Sequence, residues 1–423
     1  MTSRKRPSNR AWYWAIFTAF GIQGIFFATW VSRTPEIQHL LSLNTGQMGL
    51  FALVMALGSL AGLLLGTIAV PVFGARKSIV LCFVVSAVFL PALGLFVSQH
   101  DLGLSIVSVF VFGASLGAGG ISSNIEGAML DSKSHRSLLP SLHGSFSFGT
   151  LVGAGLGTIA IVLGVGVQFQ FSAMAMFSIA AAIVTAIFIP RDSGLRQHAD
   201  MSTTEIRTIP DRKERLSVWR EPRTLRVALI GLSFTLAEGT AATWLPISLV
   251  DAGLTSAAAA ACFTVFVAFM TVGRLGGGVV VDRFGRSRVL LVIAFMAAAG
   301  IAIVMLTNVI HLPYLGAALW GLGCSLGFPL CIASITDDPR LAPPRVNMVF
   351  LSGNFGSLAI PPLLGGIGQV LGLFAAFTVP VAVIAAGIMV NKATKPPVVH
   401  DDDDDHDDDS SDSDHDENEL VAR

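Results

Sequence analysis

The stretch GRLGGGVVVDRFGRSR, residues 273–288, ends in a five-residue segment that the chain uses twice. FGRSR at 284–288 matches FGARK at 73–77, and three further pairs of short segments follow the same order. They are QGIFFATW (23–30) with EGTAATW (238–244), GASLGAG (113–119) with GCSLGFP (323–329), and FGTL (148–151) with FGSL (355–358). The common order and the offsets of 207 to 214 residues indicate an internal duplication. Two related halves are therefore predicted.

The composition predicts an integral membrane protein. Hydrophobic residues make up 53% of the chain and charged residues 13%, against about 25% charged in an average soluble domain. Twelve apolar runs of about 20 residues, enough to span a bilayer as helices, are present. They lie near 12–32, 47–72, 78–98, 102–127, 143–164, 167–189, 225–250, 256–281, 288–307, 312–335, 347–371 and 373–391.

Six helices in each half predict parallel repeats, because an even number returns the chain to its starting side. The prediction is an all-α membrane protein of twelve transmembrane helices in two parallel six-helix halves. The expected domains are a basic N-terminal segment (1–11), the first half (12–189), a central loop (190–224), the second half (225–391) and a tail (392–423).

Basic residues predict the orientation in the membrane. They collect before helix 1, after helices 2 and 4, in the central loop and after helices 8, 10 and 12, whereas only Arg33 falls on the other side. Because basic loops stay in the cytoplasm, both termini are expected there. The chain is thus expected to be a multi-pass protein of the plasma (inner) membrane.

The acidic tail HDDDDDHDDDSSDSDHDENEL is strongly negative and offsets a positive charge on the rest of the chain, so the net charge is only −1. It holds thirteen of the 28 acidic residues, so residues 1–400 alone carry a net charge of +11. Such a run cannot bury apolar area, and a solvated, disordered extension is expected. A weak binding segment for a divalent ion or a partner is the alternative, and the sequence does not identify the partner.

The segment at 273–288 resembles the signature of the major facilitator superfamily between helices 8 and 9. The positions that match are Gly278, Asp282, Arg283, Gly285 and Arg286. The first-half copy, GTIAVPVFGARK (66–77), departs from it, with Pro71 and Val72 where the acid and its following arginine are expected. The resemblance implies the major facilitator fold and a secondary transporter, with the signature residues serving conformational change.

Three other stretches are similar to a bacterial group related to the fucose permeases. They are WVSRTPEIQHLLSLNTGQMGL (30–50), SLHGSFSFGTLVGAGLG (141–157) and LAEGTAATW (236–244). This resemblance implies proton-linked import of a small polar or sugar-like solute by alternating access. Efflux of drugs or metabolites by proton antiport and a non-transporting receptor or scaffold are the alternatives.

Glu238 is the main candidate for proton coupling. A carboxylate inside a span costs at least about 2.5 kcal/mol on insertion, so it normally faces the protein interior or a wet cavity. Locking the helix packing through an interior donor is the alternative role. Glu126, near the cytoplasmic end of helix 4, is the second candidate, or an interfacial acid balanced by nearby basic residues.

Other side chains suit a substrate cavity or a gate. Amides donate and accept hydrogen bonds, and tryptophan rings can stack on a solute, so the cavity candidates are Gln23, Trp30, Asn124, Trp244 and Asn354. A tryptophan near a helix end can also anchor at the interface. Arg33 and Glu36 flank Pro35 and form an outer gate pair or extend to the headgroups.

No enzyme motif is present in the sequence. It contains no zinc motif, Walker loop, nucleophile elbow or dinucleotide fingerprint, and the four cysteines lack metal-ligand spacing. We therefore expect no enzymatic activity, cofactor, metal or nucleic acid, and a small solute, protons and the lipid bilayer as partners.

Overall fold

A computed structural model describes residues 8–134, 138–190, 193, 217–337 and 341–394. Most of the predicted central loop and the acidic tail lie outside the described residues. The long apolar helices are α1 (Asn9–Leu40), α2 (Thr45–Phe73), α3 (Ala75–Ser98), α4 (Leu102–Asp131), α5 (Leu139–Val162), α6 (Val167–Phe188), α7 (Pro222–Asp251), α8 (Ser256–Phe284), α9 (Arg286–Met305), α10 (Pro313–Ile335), α11 (Ala342–Leu371) and α12 (Leu373–Met389). A 3₁₀ turn, Val218–Arg220, precedes α7, and a four-residue helix, Thr307–Ile310, lies between α9 and α10.

The predicted all-α membrane fold is confirmed. Eleven of these helices are long and apolar enough to cross a membrane, and α12 is shorter. Helix α12 has an interruption at Phe377, between Leu373–Ala376 and Thr378–Met389, and a 3₁₀ turn, Asn391–Thr394, follows it. Helix α1 exceeds its predicted run at both ends, because regular helix continues through the polar residues there.

The segments FGARK (73–77) and FGRSR (284–288) form the same turn between two helices. Gly74, between α2 and α3, has a φ of 86°, and Gly285, between α8 and α9, has a φ of 78°. Each glycine donates its backbone N–H over 2.8 Å, Gly74 to the Val70 carbonyl and Gly285 to the Val281 carbonyl. Glycine adopts this positive φ without the penalty of a Cβ. The repeat in the sequence is thus also a repeat in geometry.

Helix α10 is broken between Cys324 and Gly327. Pro329 has no N–H to give to the carbonyl of Ser325, four residues earlier, where an α-helix would place that bond. The matching segment of the first half ends in Gly119, and α4 is continuous there. The proline, which the first-half copy lacks, leaves the Ser325 carbonyl free at this break.

The helices pack mainly within the first six and within the last six. Glycines allow the closest approaches between helices. A Cβ added to Gly149 would lie 1.9 Å from the Gly21 carbonyl oxygen, and a Cβ added to Gly62 would lie 1.9 Å from the Ala114 carbonyl oxygen. Contacts between the halves are made by α2 with α11, α5 with α8, and α1 with α7 and α8.

Alternating helix directions define two ends of the bundle. We call the end at which α1 begins the terminal face, and the end at which α1 finishes the opposite face. Helices α2 and α8 accordingly begin at the opposite face, and α5, α7 and α11 begin at the terminal face.

Candidate functional site

A cavity of about 520 Å³ lies between the two halves, bounded by α1, α2, α4, α5, α7 and α11. Aromatic side chains form part of its wall, namely Phe20, Phe27, Trp30 and Phe146. Its polar wall includes three amide residues, Gln23, Asn124 and Asn354. No aspartate, glutamate, lysine or arginine is among the described residues that line it, so the wall carries no fixed charge.

Close contacts between α2 and α11 seal the cavity at the opposite face. The backbone N–H of Gly46 donates to Gln369 Oε1 over 3.2 Å. A Cβ added to Gly49 would lie 2.4 Å from the Pro361 carbonyl oxygen, and one added to Gly365 would lie 3.0 Å from the Gly49 Cα. On the other side of the bundle, the Thr158 hydroxyl of α5 lies 3.0 Å from the Thr264 hydroxyl of α8.

The cavity is open toward the terminal face. Its wall reaches His143, close to the terminal-face end of α5, and His143, Asn354 and Ser357 are all exposed wall residues. The described structure is therefore a conformation with one closed face and one accessible face, the geometry that alternating access requires.

The three amide residues of the cavity wall use their N–H groups within the protein. Gln23 uses its Nε2 on the Ala19 carbonyl and the Ser123 hydroxyl, both at 3.1 Å. Asn124 and Asn354 each donate Nδ2 over 2.9 Å to a carbonyl of their own helix. None of the three amide oxygens has a hydrogen-bond donor among the described residues, so each can accept a bond from a bound solute.

Glu238 pairs with Arg274 beside this cavity. Arg274 Nη2 lies 3.1 Å from Glu238 Oε1 and 3.3 Å from Oε2, and Gly239, the next residue, belongs to the cavity wall. The side chains of Arg274 and Glu238 are 30% and 38% exposed, so neither member of the pair is fully buried. An intramembrane acid is thus held by an intramembrane base at an accessible position.

Arg274 also contacts the break in α10 and the first half. Its Nε donates over 3.3 Å to the Ser325 carbonyl, which Pro329 leaves without its helical partner. Its Nη1 donates over 3.1 Å to the hydroxyl of Ser147 in α5. The guanidinium therefore joins Glu238 to both halves of the molecule.

Trp244, a predicted cavity residue, and Glu126, a predicted coupling residue, do not line the cavity. Trp244 is fully buried near the opposite face, where its ring would lie 3.1 Å from a Cβ at Gly365, and the cavity wall does not include it. Glu126 is also fully buried, and Trp12 Nε1 donates to its Oε1 over 2.6 Å. In the described part of the chain, the Oε2 of Glu126 has no hydrogen-bond partner.

Arg33 and Glu36 form an ion pair within the first half. Arg33 is buried and also donates 2.5 Å hydrogen bonds to Gln170 Oε1 and to the Val165 carbonyl. Glu36 accepts from the backbone N–H of Val167 over 3.0 Å. These bonds tie the end of α1 to the α5–α6 turn, and in this conformation none of them reaches the second half.

The signature residues divide into two groups. Gly285 makes the α8–α9 turn, and Arg286 Nη2 donates to Asp337 over 2.9 and 3.2 Å, whereas Gly278, Asp282 and Arg283 are exposed. Partial burial raises the pKa of Asp337, but hydrogen bonds and charges from Arg223 and Arg286 outweigh it, so this pKa lies below its ordinary value of 3.8.

Arg274, Ser147 and Ser325 are not among the sequence-predicted site residues. The same rule that singles out Glu238 applies to Arg274, which lies in the apolar part of α8 well before Asp282. The orientation argument counts basic residues in loops only, so it does not consider Arg274, which lies inside a helix. No sequence signal distinguishes the Ser147 hydroxyl from the other serines of α5.

Comparison with known proteins defines the family. The model of the Major Facilitator Superfamily matches residues 13–345 and, in an overlapping match, 227–407. The chain therefore belongs to this superfamily, and it is a membrane transporter rather than an enzyme.

Relatives of similar length extend along most of the chain. An uncharacterised MFS-type transporter of Yersinia pestis is 27% identical over 85% of this chain and 89% of its own length. The membrane protein MosC of Rhizobium meliloti is 26% identical over 92% of this chain and 90% of its own.

Solved structures share the fold. The nucleoside transporter NupG has a TM-score of 0.67 at 14% identity, covering 91% of this chain and 98% of its own. A D-xylose-proton symporter has a TM-score of 0.67 at 14% identity, covering 90% and 95%. FucP in its outward conformation has a TM-score of 0.58 at 16% identity, covering 92% and 100%.

Proposed function

We propose that this transporter imports a small, uncharged, polar solute together with protons. The observation that carries the proposal is the cavity wall, which combines aromatic rings with three amide residues whose oxygens have no donor among the described residues. Such a wall fits a solute that offers O–H or N–H donors on one side and an apolar ring face on another.

The size and charge of the cavity support this substrate class. A volume of about 520 Å³ lies within the range of small-molecule sites, roughly 300–1,000 Å³. A wall without fixed charge gives no counter-ion to a free organic acid or a cationic drug. The names of the structural neighbours, a nucleoside transporter and symporters of xylose and fucose with protons, agree with an uncharged polar solute.

Glu238 is the proposed proton carrier. Its carboxylate is partly exposed and neighbours the wall residue Gly239, and its partner Arg274 stays charged, so protonation of Glu238 removes the charge pairing between the two. Coupling needs a group of this kind, whose charge changes at a place that the solute and the moving helices share. Glu126 remains the second candidate.

The proposed orientation puts the terminal face in the cytoplasm of a cell whose plasma membrane holds the protein. Basic residues at this face support the orientation, because positively charged loops are retained inside. The described conformation is then the inward-facing one. The two six-helix halves are the proposed moving bodies, joined by the central loop.

Transport into sealed vesicles tests the proposal. Purified full-length protein is first screened by thermal shift against neutral sugars and nucleosides, organic acids and cationic drugs, because a ligand that binds the folded state raises its melting temperature. Ligands that stabilise are then labelled and offered to right-side-out vesicles. We expect a neutral polyhydroxylated solute to accumulate when the outside is made acidic.

The alternatives give different results in the same assay. Antiport efflux predicts that the solute leaves preloaded vesicles faster when the outside is acidic. A receptor predicts binding without any flux. Stabilisation by organic acids or cationic drugs, with none by neutral solutes, would show that the substrate class is wrong.

A further inference from the structure

Arg274 bonds to both halves of the molecule. Its Nη2 donates to Glu238 in α7 over 3.1 Å, and its Nη1 donates to Ser147 in α5 over 3.1 Å. Helix α7 belongs to the second half and α5 to the first. The guanidinium therefore lies on the boundary across which the halves must move.

The neighbouring chain fixes where the guanidinium can lie. The Ser325 carbonyl accepts from Nε over 3.3 Å, so the stem of Arg274 is held at the α10 break. A Cβ on Gly273 would lie 2.4 Å from Ser325 Oγ, so this glycine lets α8 approach the break closely. With Nε held, the planar fork reaches Glu238 with one nitrogen and Ser147 with the other.

This arrangement depends on the charge of Glu238. An ionised carboxylate accepts both Nη2 bonds, whereas a protonated one loses its charge and half of its acceptor capacity. Arg274 keeps its charge throughout. Protonation of Glu238 therefore releases one side of the fork, and the position of Nη1 relative to Ser147 is no longer fixed.

The Ser147 bond also lies where the halves separate. Ser147 is nearer the terminal-face end of α5 than Thr158, and Arg274 is nearer the terminal-face end of α8 than Thr264. The threonine pair closes the opposite face, so the Arg274 bond spans α5 and α8 on the side that opens. A bond at this place contributes differently to the two conformations.

We infer that Arg274 is a positioning residue that makes opening of the terminal face depend on the protonation of Glu238, through its bond to Ser147. This inference rests on the proposed role of Glu238 as the proton carrier. Ionised Glu238 holds Arg274 against Ser147 and stabilises the described conformation. Protonated Glu238 releases Arg274 and favours the conformation in which the terminal face is closed.

Few other charges surround the pair. The positive charge of Arg274 also acts on His143 of α5, and the buried thiol of Cys324 in α10 feels both Glu238 and Arg274. Helices α1 and α11 carry their charged residues only toward their ends, and α12 carries none. His143 is therefore the neighbouring group whose titration must be removed, as His143→Gln, in a background control.

The test measures opening of the terminal face against pH in the full-length protein. Spin labels are attached at Ser132→Cys and Thr336→Cys, two exposed positions of that face in different halves. The native cysteines are buried and free. For the wild-type sequence we expect the open-to-closed ratio to rise at least about fivefold from acidic to neutral pH, and we expect no such rise for Glu238→Gln, which cannot ionise.

Ser147→Ala should reduce this pH response to less than half while leaving the protein folded. Ser145→Ala is the matched control, because the Ser145 hydroxyl bonds to the Phe17 carbonyl within the first half. Its response should equal that of the wild type. Arg274→Lys retains the charge without the fork, and it should also lose the response.

Two outcomes would overturn the inference. A Ser147→Ala protein that opens with pH as the wild type does would remove the role of the Arg274 bond, while Glu238 could still carry the proton. A wild-type protein whose open-to-closed ratio does not change with pH would also overturn the inference. Proton-driven accumulation, measured on that same preparation, then decides separately whether the proposed function stands.

Discussion

Thr158 and Thr264 share a hydrogen bond of 3.0 Å between α5 and α8, one of the described polar contacts between the halves at the opposite face. One hydroxyl donates to the other, and the hydroxyl that accepts this bond donates its own proton to the carbonyl four residues earlier in its helix. The pair adds a directional bond to a face that α2 and α11 otherwise close by glycine contacts. Its energy is therefore specific to the conformation in which this face is closed.

Replacing Thr158 by valine should shift the conformational balance toward opening of the opposite face. Loss of one hydrogen bond is worth about 1 kcal/mol, which is about a fivefold change in the ratio of the two conformations. This shift can be measured with a cysteine placed on the cavity wall, as the rate at which a reagent added at the opposite face labels that cysteine. Thr150→Val is the control, because Thr150 bonds only within α5.

Gly49→Ala should shift the conformational balance toward opening of the opposite face by more than Thr158→Val does. Its Cβ would lie 2.4 Å from the Pro361 carbonyl oxygen, and backbone cannot yield as a side chain does. Overpacking of this kind costs about 1–3 kcal/mol, here against the closed face only. Gly366→Ala on α11 is the control, since nothing lies within 4 Å of its added Cβ. Equal labelling of the two variants would contradict the expectation.

Glu238→Gln should abolish accumulation driven by a pH gradient while exchange of solute down its own gradient continues. Glutamine keeps the size and a hydrogen-bond acceptor for Arg274 but cannot carry a proton. Because the pair is partly exposed, melting should show a loss of only about 1 kcal/mol. Accumulation, exchange and melting temperature are measured on one preparation. A variant that still concentrates solute would remove Glu238 from the coupling role.

Trp12→Phe should destabilise the protein by about 1–3 kcal/mol, because it removes the 2.6 Å donor to the buried Glu126. Thermal unfolding of Trp12→Phe, Glu126→Gln and the double variant completes a cycle that isolates the pair. If Glu126 serves packing, Glu126→Gln should still accumulate solute in response to a pH gradient. Loss of accumulation in this variant would make Glu126 the coupling residue instead.

Asp337 should stabilise the protein at neutral pH and lose this contribution in acid. Its folded-state pKa is lowered, so the stabilisation is complete above the ordinary value of 3.8 and disappears as the pH falls through the lower, folded value. Asp337→Asn should therefore melt below the wild type at pH 7, and the difference should narrow below about pH 4. Asp282→Asn, at an exposed carboxylate without an ion pair in the described residues, should show no such narrowing.

The fold was predictable from the sequence because its signals are repeated or long. Apolar runs give the helices, and the FG segments give two turns that the structure shows to be alike at Gly74 and Gly285. The break in α10 was harder to predict. Proline is common inside the helices of this chain, and what distinguishes Pro329 is the arginine on another helix that binds the freed carbonyl.

The candidate site was only partly predictable. Amide side chains inside spans indicate a polar interior, and the structure places Gln23, Asn124 and Asn354 on the cavity wall. Trp244 carries the same signal as Trp30, yet close contact between α11 and α2 buries it. Helix periodicity does not say which neighbour covers a side chain, so partners such as Arg274 and Ser147 became visible only in three dimensions.

Because the opposite face is closed, water-soluble reagents reach the cavity from the terminal face only. A bulky, membrane-impermeant inhibitor shaped to the cavity would act from the terminal face alone while the described conformation persists. Intact cells and inverted vesicles would then differ in their sensitivity to the same compound. In the proposed orientation, inverted membranes and detergent-solubilised protein expose the terminal face to an added compound, so chemical screens with such compounds should use them.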